Sequence, residues 1–328
     1  MTVAAFIVGK GCFKGEITKI LIAYDGSGYS HAALDELQRC GLPYKADVII
    51  LSISEIWLPP TVKYEDTEIF PDSDVDEYSQ KYYDQIDRNL AEAKVIAYQA
   101  REELFKYFPD WTIKTEAVSG SPASLILSRA FEFKPDIIVV GAQGLSSDGQ
   151  IGLGSISQKI LTEAKCSIRI TRVKHDVTHS RLKIMIGFDD SLGSMAAVKI
   201  VATRQWRGNP EIRLVTITDP FFPLIPGRVL LPIPGLSEGK IKGEQKWIET
   251  LAAKALQILH NAGLSATLHV YDGNPRMILI QEADKWGADS IFIGANSLQP
   301  QSQIYSLGCV ASAVASRASC TVEVVRQN

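Results

Sequence analysis

Residues Ile22-Ala-Tyr-Asp25-Gly-Ser-Gly-Tyr-Ser30-His-Ala-Ala33 return 164 positions later as Ile186-Gly-Phe-Asp189-Asp-Ser-Leu-Gly-Ser194-Met-Ala-Ala197. Each stretch runs from an apolar strand pattern through an acidic turn into small residues that open a helix. The same offset carries Val48–Glu55 (VIILSISE) onto Ile212–Asp219 (IRLVTITD). Further along, Gly120, Pro122, Asp136 and Gly141 match Gly273, Pro275, Asp289 and Gly294 at offset 153, so the second copy is eleven residues shorter between its second and third strands. Ala164-Lys-Cys166 matches Ala318-Ser-Cys320 at offset 154. The chain is a repeat of itself.

Within each copy, short runs rich in Ile and Val alternate with amphipathic segments of ten or more residues, the pattern of βαβ units around a buried parallel sheet. Five strands are expected per copy: near 18–24, 47–54, 112–118, 136–141 and 167–173, then near 182–188, 211–218, 266–271, 289–294 and 320–326. The polar, aperiodic stretch Lys174–Arg181 reads as the linker, giving domains at 1–174 and 181–328. The predicted fold class is α/β, two open, doubly wound, Rossmann-like domains in tandem.

With 328 residues, 46% hydrophobic and 22% charged, each half can bury a core of its own. A net charge of −3 leaves no basic surplus for a nucleic-acid backbone. The five cysteines, Cys12, Cys40, Cys166, Cys309 and Cys320, are widely spaced without a C-x-x-C pair, so neither a disulfide framework nor a zinc site is expected, and a reducing cytoplasm is the predicted home. The apolar run Val3–Val8 is too short for a signal peptide. Pro220–Leu236 holds five prolines and Arg228, so it reads as a loop packed on its own fold or as a contact surface, not as a membrane span.

The fourth strand of the first copy runs into Gly141-Ala-Gln-Gly144, then nine residues, then Gly154-Ser155 at a helix start. Glycines there let backbone approach a ligand and adopt positive φ, while a helix N-terminus offers unpaired N–H groups to phosphate. The structural alternative is a surface loop with an ordinary cap at Ser155, and an Asx-turn or cap at Asp25. This G-x2-G-x9-G-[ST] arrangement, with Asp25, the small residues Ser30–Ala33 and the ending Ala164-Lys-Cys-Ser-Ile-Arg-Ile-Thr171, resembles the universal stress protein family, and the resemblance covers both halves. It implies an adenine nucleotide (ATP, ADP or AMP) with Asp25 beside the ribose or a metal and the backbone around Ile53 at the adenine. Gly141, Gly144, Gly154 and Ser155 would hold ribose and phosphates, Ser157 would add a hydroxyl, and Ala23 and Gln143 complete the set.

Between Gly144 and Gly154 the loop LSSDGQIGL has no Lys or Arg and carries Asp148, so the site is expected to prefer AMP or to need Mg²⁺ to hold ATP. In the second copy, Ser297 replaces the second glycine, Cys309 the hydroxyl residue, and the spacing grows by one. That copy is expected to be a scaffold without nucleotide. A dinucleotide fingerprint at Gly26-Ser-Gly28 fails on His31, where a small third residue is needed. Asp72–Glu77 begins like a calcium loop, but Glu77 stands where the turn glycine belongs; it reads as an acidic loop before a helix. His175 and His179 lie in the linker without further ligands, and no Walker A motif or catalytic triad is visible.

The expected protein is thus a cytoplasmic nucleotide-binding or signalling module of a stress response, with slow ATP hydrolysis or a nucleotide-independent interaction role as the alternatives. The final strand of each copy would leave an unpaired sheet edge, and the resemblance implies dimers joined in a similar way, so an intramolecular pseudo-dimer is expected at the fifth strands, Ser167–Val173 and Thr321–Val325; in an antiparallel symmetric register Arg169 would face Glu323. An unidentified protein partner and a homo-oligomer are left open.

Overall fold

The computed structural model describes residues 17–55, 72–142, 152–172, 181–218, 239–296 and 307–326, with side chains of the long helices from 82 and 247 onward. The first copy contains β1 (Thr18–Ala23), α1 (Gly28–Leu37), β2 (Ala46–Glu55), α2 (Asp72–Tyr107), β3 (Thr112–Gly120), α3 (Pro122–Phe133), β4 (Ile137–Gly141), α4 (Ser155–Glu163) and β5 (Ser167–Thr171). The second contains β6 (Lys183–Gly187), α5 (Leu192–Thr203), β7 (Glu211–Thr218), α6 (Gly239–Asn261), β8 (Ser265–Asp272), α7 (Pro275–Trp286), β9 (Ser290–Gly294), α8 (Cys309–Arg317) and β10 (Thr321–Val325). All ten expected strands are present within two residues of their predicted ends. Asp72–Glu77, expected as a loop, is instead the start of α2. The linker at 174–180, His175 and His179 with it, and the insertion at 220–236 lie outside the described residues.

Contacts divide the chain into two units, 19–38 with 44–173 and 39–43 with 174–327. In the first, the strands lie in the order β3-β2-β1-β4-β5; in the second, β10-β9-β6-β7-β8. The strand pairs are parallel, with Ile22 opposite Val139 in β1–β4 and Ile186 opposite Phe292 in β6–β9. Chain order therefore reverses between β1 and β4, and between β6 and β9, the crevice where open α/β sheets take ligands. Central strands are buried on both faces: Ile20, Leu21, Ile22, Ile138 and Val139 are fully enclosed, as are Ile184, Ile186 and Phe292. That is why they read as unbroken apolar runs rather than alternating ones.

The matched residues explain much of the repeat. Asp136 accepts the Lys19 N–H at 2.8 Å and Asp289 accepts the Lys183 N–H at 2.8 Å, each latching the start of its unit's first strand. Ser27 caps α1 by accepting the Ser30 N–H, and Ser191 caps α5 by accepting the Ser194 N–H. Pro122 and Pro275 occupy the first turns of α3 and α7, where a missing N–H costs nothing. The fifth strands carry opposite charges at matched positions. Arg169 is 1% exposed and forked onto Glu36 of α1, through Nε at 2.8 Å and through Nη2. Glu323, also 1% exposed, pairs with Arg204 at the end of α5. Arg169 and Glu323 thus each have a counter-charge within their own unit, as burial in low dielectric requires.

Candidate functional site

The carboxyl ends of β1, β2 and β4 meet the first turns of α1 and α4. β1 ends at Ala23, and the Tyr24 N–H donates to Leu51 O at 3.0 Å while Ser52 Oγ donates to Tyr24 O at 2.7 Å, so β2 flanks β1 up to the turn and Ile53 follows just beyond. Asp25 then begins the turn into α1, its Oδ1 accepting the Ser27 N–H at 2.9 Å. Gly26 follows at φ +75°, a left-handed position with an added Cβ only 3.2 Å from Ile96. Partial burial works to raise the Asp25 pKa, but hydrogen bonds from the Ser27 side chain and backbone and from Ser30 outweigh it and hold the carboxyl below its ordinary value. It is an ionised, exposed acceptor at the crevice.

Gly141 ends β4. A Cβ there would lie 3.2 Å from the Tyr29 carbonyl carbon and oxygen, so the strand end packs directly on the backbone of the first turn of α1. On its other side, Ser157 Oγ donates to Gly141 O at 2.9 Å and is itself buried, which ties the first turn of α4 to the end of β4. Gly154 caps α4 at φ −66° and ψ 158°, and having no side chain it offers the N–H groups of that turn no capping oxygen of its own. Ser155 is exposed beside it. The expectation of positive φ at the motif glycines is not met at Gly141 or Gly154. Gly141 is still in the ladder, opposite Thr171, and Gly154 has the extended backbone of an N-cap. What Gly141 requires is close approach. Gln143 and Gly144 lie outside the described residues.

Sequence reasoning missed the neighbour of Asp25. Tyr24 is 3% exposed, and its hydroxyl meets His31 Nδ1 at 2.9 Å, with His31 in turn 3.7 Å from Glu103 of α2. Burial, then the carboxylates of Glu103, Asp25 and Asp35, push the tyrosine up to about 12, so it remains a neutral hydrogen-bonding group. His31, which had spoiled the dinucleotide fingerprint, thus ties α1 to the end of β1. No spacing rule predicts such a contact.

The second copy repeats the frame with a different mouth. Asp189 Oδ1 accepts the Ser191 N–H at 3.1 Å, and Asp190 takes the left-handed position of Gly26 at φ +59°. Where Tyr29 stands in the first copy, Gly193 lets the 294–296 backbone settle on α5: a Cβ on Gly193 would lie 2.2 Å from Asn296 O. The Gly308 N–H donates to Ala295 O at 2.7 Å. Cys309 is an exposed thiol at the first position of α8, and Ala311 replaces the bracing hydroxyl of Ser157. Among the described residues no cluster of three or more metal-ligating side chains occurs, and no helix is long and apolar enough to cross a membrane.

Comparison with known proteins agrees with this architecture. The model of the universal stress protein family matches residues 16–172 and again 181–326. A universal stress protein of Thermus aquaticus is 28% identical over 153 residues, 47% of this chain and 97% of that protein, and YxiE of Bacillus subtilis is 28% identical over 154 residues, 47% of this chain and 98% of that protein. The crystal structure of a universal stress protein from Archaeoglobus fulgidus covers 94% of this chain and 96% of its own at 18% identity, with a TM-score of 0.54, a likeness of fold. With both halves matched by the family model, the chain belongs to the universal stress protein family, as a tandem member with two copies of its α/β domain.

Proposed function

We propose that the first copy, residues 1–174, binds an adenine nucleotide and that its occupancy is the signal this protein gives in a stress response. The observation that carries the reading is the first turn of α4, which has no side-chain cap and is held by Ser157 against the end of β4, at the point where strand order reverses. The N–H groups of a helix start and the helix dipole attract a phosphate. Asp25 supplies an ionised acceptor for ribose hydroxyls or for a nucleotide-borne Mg²⁺, which needs only one or two protein carboxylates. Ala23 and Ile53 offer backbone at the strand ends to the base, and Gln143, Gly144, Gly154 and Ser155 complete the proposed cradle. Membership of the family and the tandem order support reading the two copies as an intramolecular pair, and the cysteine usage supports a reducing cytoplasm.

Denaturing the purified protein and identifying the released small molecules by mass spectrometry tests this, together with calorimetry for ATP, ADP and AMP. One adenine nucleotide per chain is expected. No released nucleotide and no heat with any of the three would overturn the reading, and two equal sites would overturn its assignment to the first copy. Incubation with ATP then shows whether bound nucleotide is turned over.

A further inference from the structure

The second unit contains a cavity of about 180 Å³ between the carboxyl ends of β6, β7 and β9 and the first turn of α8. Its wall is mainly apolar, formed by Phe188, Ile217, Leu279, Ile293 and Ala311, with Cys309 at the helix start. Asp189 is its one ionisable acid or base other than that thiol among the described residues, and no cation lines it.

The same features that shape this cavity act against phosphate. One of the four N–H groups that a helix start could offer an anion, that of Gly308, already donates to Ala295 O at 2.7 Å. The Ala295 carbonyl oxygen therefore takes one of the donors that an anion would use. It is brought there by the contact of the 294–296 backbone with Gly193, a contact that any side chain at 193 would break. In the first copy the corresponding position carries Tyr29, and Gly154 makes no such bond to Ala142 among the described residues.

From the volume, the apolar wall and the carbonyl lodged at the helix start together, we infer that the second copy binds a small uncharged aromatic molecule of one or two rings and rejects its phosphorylated counterparts. An apolar cavity of about 150 Å³ is large enough to hold benzene, so this one accommodates a ligand of about indole size. The driving force is burial of ring surface, about 25 cal/mol per Å². The unit is then a second, chemically distinct sensor rather than a nucleotide site that has decayed. The inference concerns the second copy alone and does not depend on nucleotide binding by the first.

Cys309 reports on the cavity because its thiol is exposed while those of Cys40, Cys166 and Cys320 are buried. The full-length protein is treated with iodoacetamide with and without indole, AMP or ATP, and alkylation of the Cys309 peptide is timed by mass spectrometry. Indole at about four times its dissociation constant, found by calorimetry, should slow the reaction about fivefold by occupancy, and neither nucleotide should slow it. Ala311→Leu fills the cavity and should abolish indole protection; should that variant not fold, the wild-type comparison still decides. Unchanged alkylation in indole, or protection by AMP equal to that by indole, would overturn the inference.

Discussion

Replacing Ser157 by Ala separates a residue that holds the site from one that touches the ligand. The hydroxyl is buried and donates to Gly141 O at 2.9 Å. Its loss removes one buried hydrogen bond, worth about 0.5–1.5 kcal/mol net, and adds only a hydroxyl-sized void. The second copy has alanine at this place, Ala311, and forms the same helix, so the fold should survive. We expect about 1 kcal/mol of destabilisation, a fall in Tm of roughly 2–4 °C for a domain of this size. Urea titration gives the free energy at constant m, and peptide-resolved hydrogen exchange places the loss in α4 and the end of β4. Because the proton is engaged with Gly141 O, AMP affinity should fall less than about threefold, well under the 1.4 kcal/mol of a tenfold loss. A tenfold loss of AMP affinity with stability unchanged would refute the argument, since the hydroxyl would then face the ligand and not the strand.

Other consequences can be measured directly. The lowered Asp25 pKa means that ionised Asp25 adds stability above its unfolded pKa of about 3.9 and that this contribution disappears as pH falls through the folded value. Asp25→Asn should therefore be less stable than wild type at pH 7, and the difference should shrink as pH falls through the folded value in urea titrations; a pH-independent difference would contradict the assignment. Glu36→Gln weakens the fork that neutralises buried Arg169 and should cost about 3 kcal/mol, at the low end for a broken buried pair, read by calorimetric unfolding. ATP affinity should depend on Mg²⁺ more steeply than AMP affinity, because LSSDGQIGL supplies no cation for the added phosphates; calorimetry with and without chelator decides.

The fold was legible because burial on both faces leaves a sheet strand little choice but Ile and Val, and Ile20–Ile22, Ile138–Val140 and Ile184–Ile186 read that way in any context. The duplication added a second reading of every element. The start of α2 was misread because Asp72-Ser-Asp74 serves equally in a turn or in a helix N-terminal turn, and only the length of the helix behind it decides. At the site, the glycines were found but their reason was not. Close approach of Gly141 to the Tyr29 backbone joins residues 112 positions apart, and no local rule carries that distance. Tyr24 with His31 escaped for a similar reason, since polar partners inside a crevice leave no periodicity.

Comparing the copies shows which motif residues bear on ligand choice. Asp25 and Asp189 both accept an N–H two residues on, and Ser27 and Ser191 both cap the helix that follows. Those residues start a helix in either copy, so Asp189 does not by itself argue for a nucleotide there, and Asp25 alone does not argue for one in the first copy. Asp136 and Asp289 latch strands and drop out of the question as well. Among the described residues the differences lie together at the carboxyl edge, Tyr29 against Gly193, Ser155 against Cys309 and Ser157 against Ala311, and the sequence adds Gly144 against Ser297 in the motif. Gly193 has a visible consequence, a carbonyl brought onto the start of α8, and Ala311 leaves apolar wall where Ser157 ties down Gly141. A duplicated scaffold that keeps its helix starts and latches while changing this one edge has kept what folding needs and altered what a ligand meets, so specificity must be argued from these four positions and not from the shared aspartate.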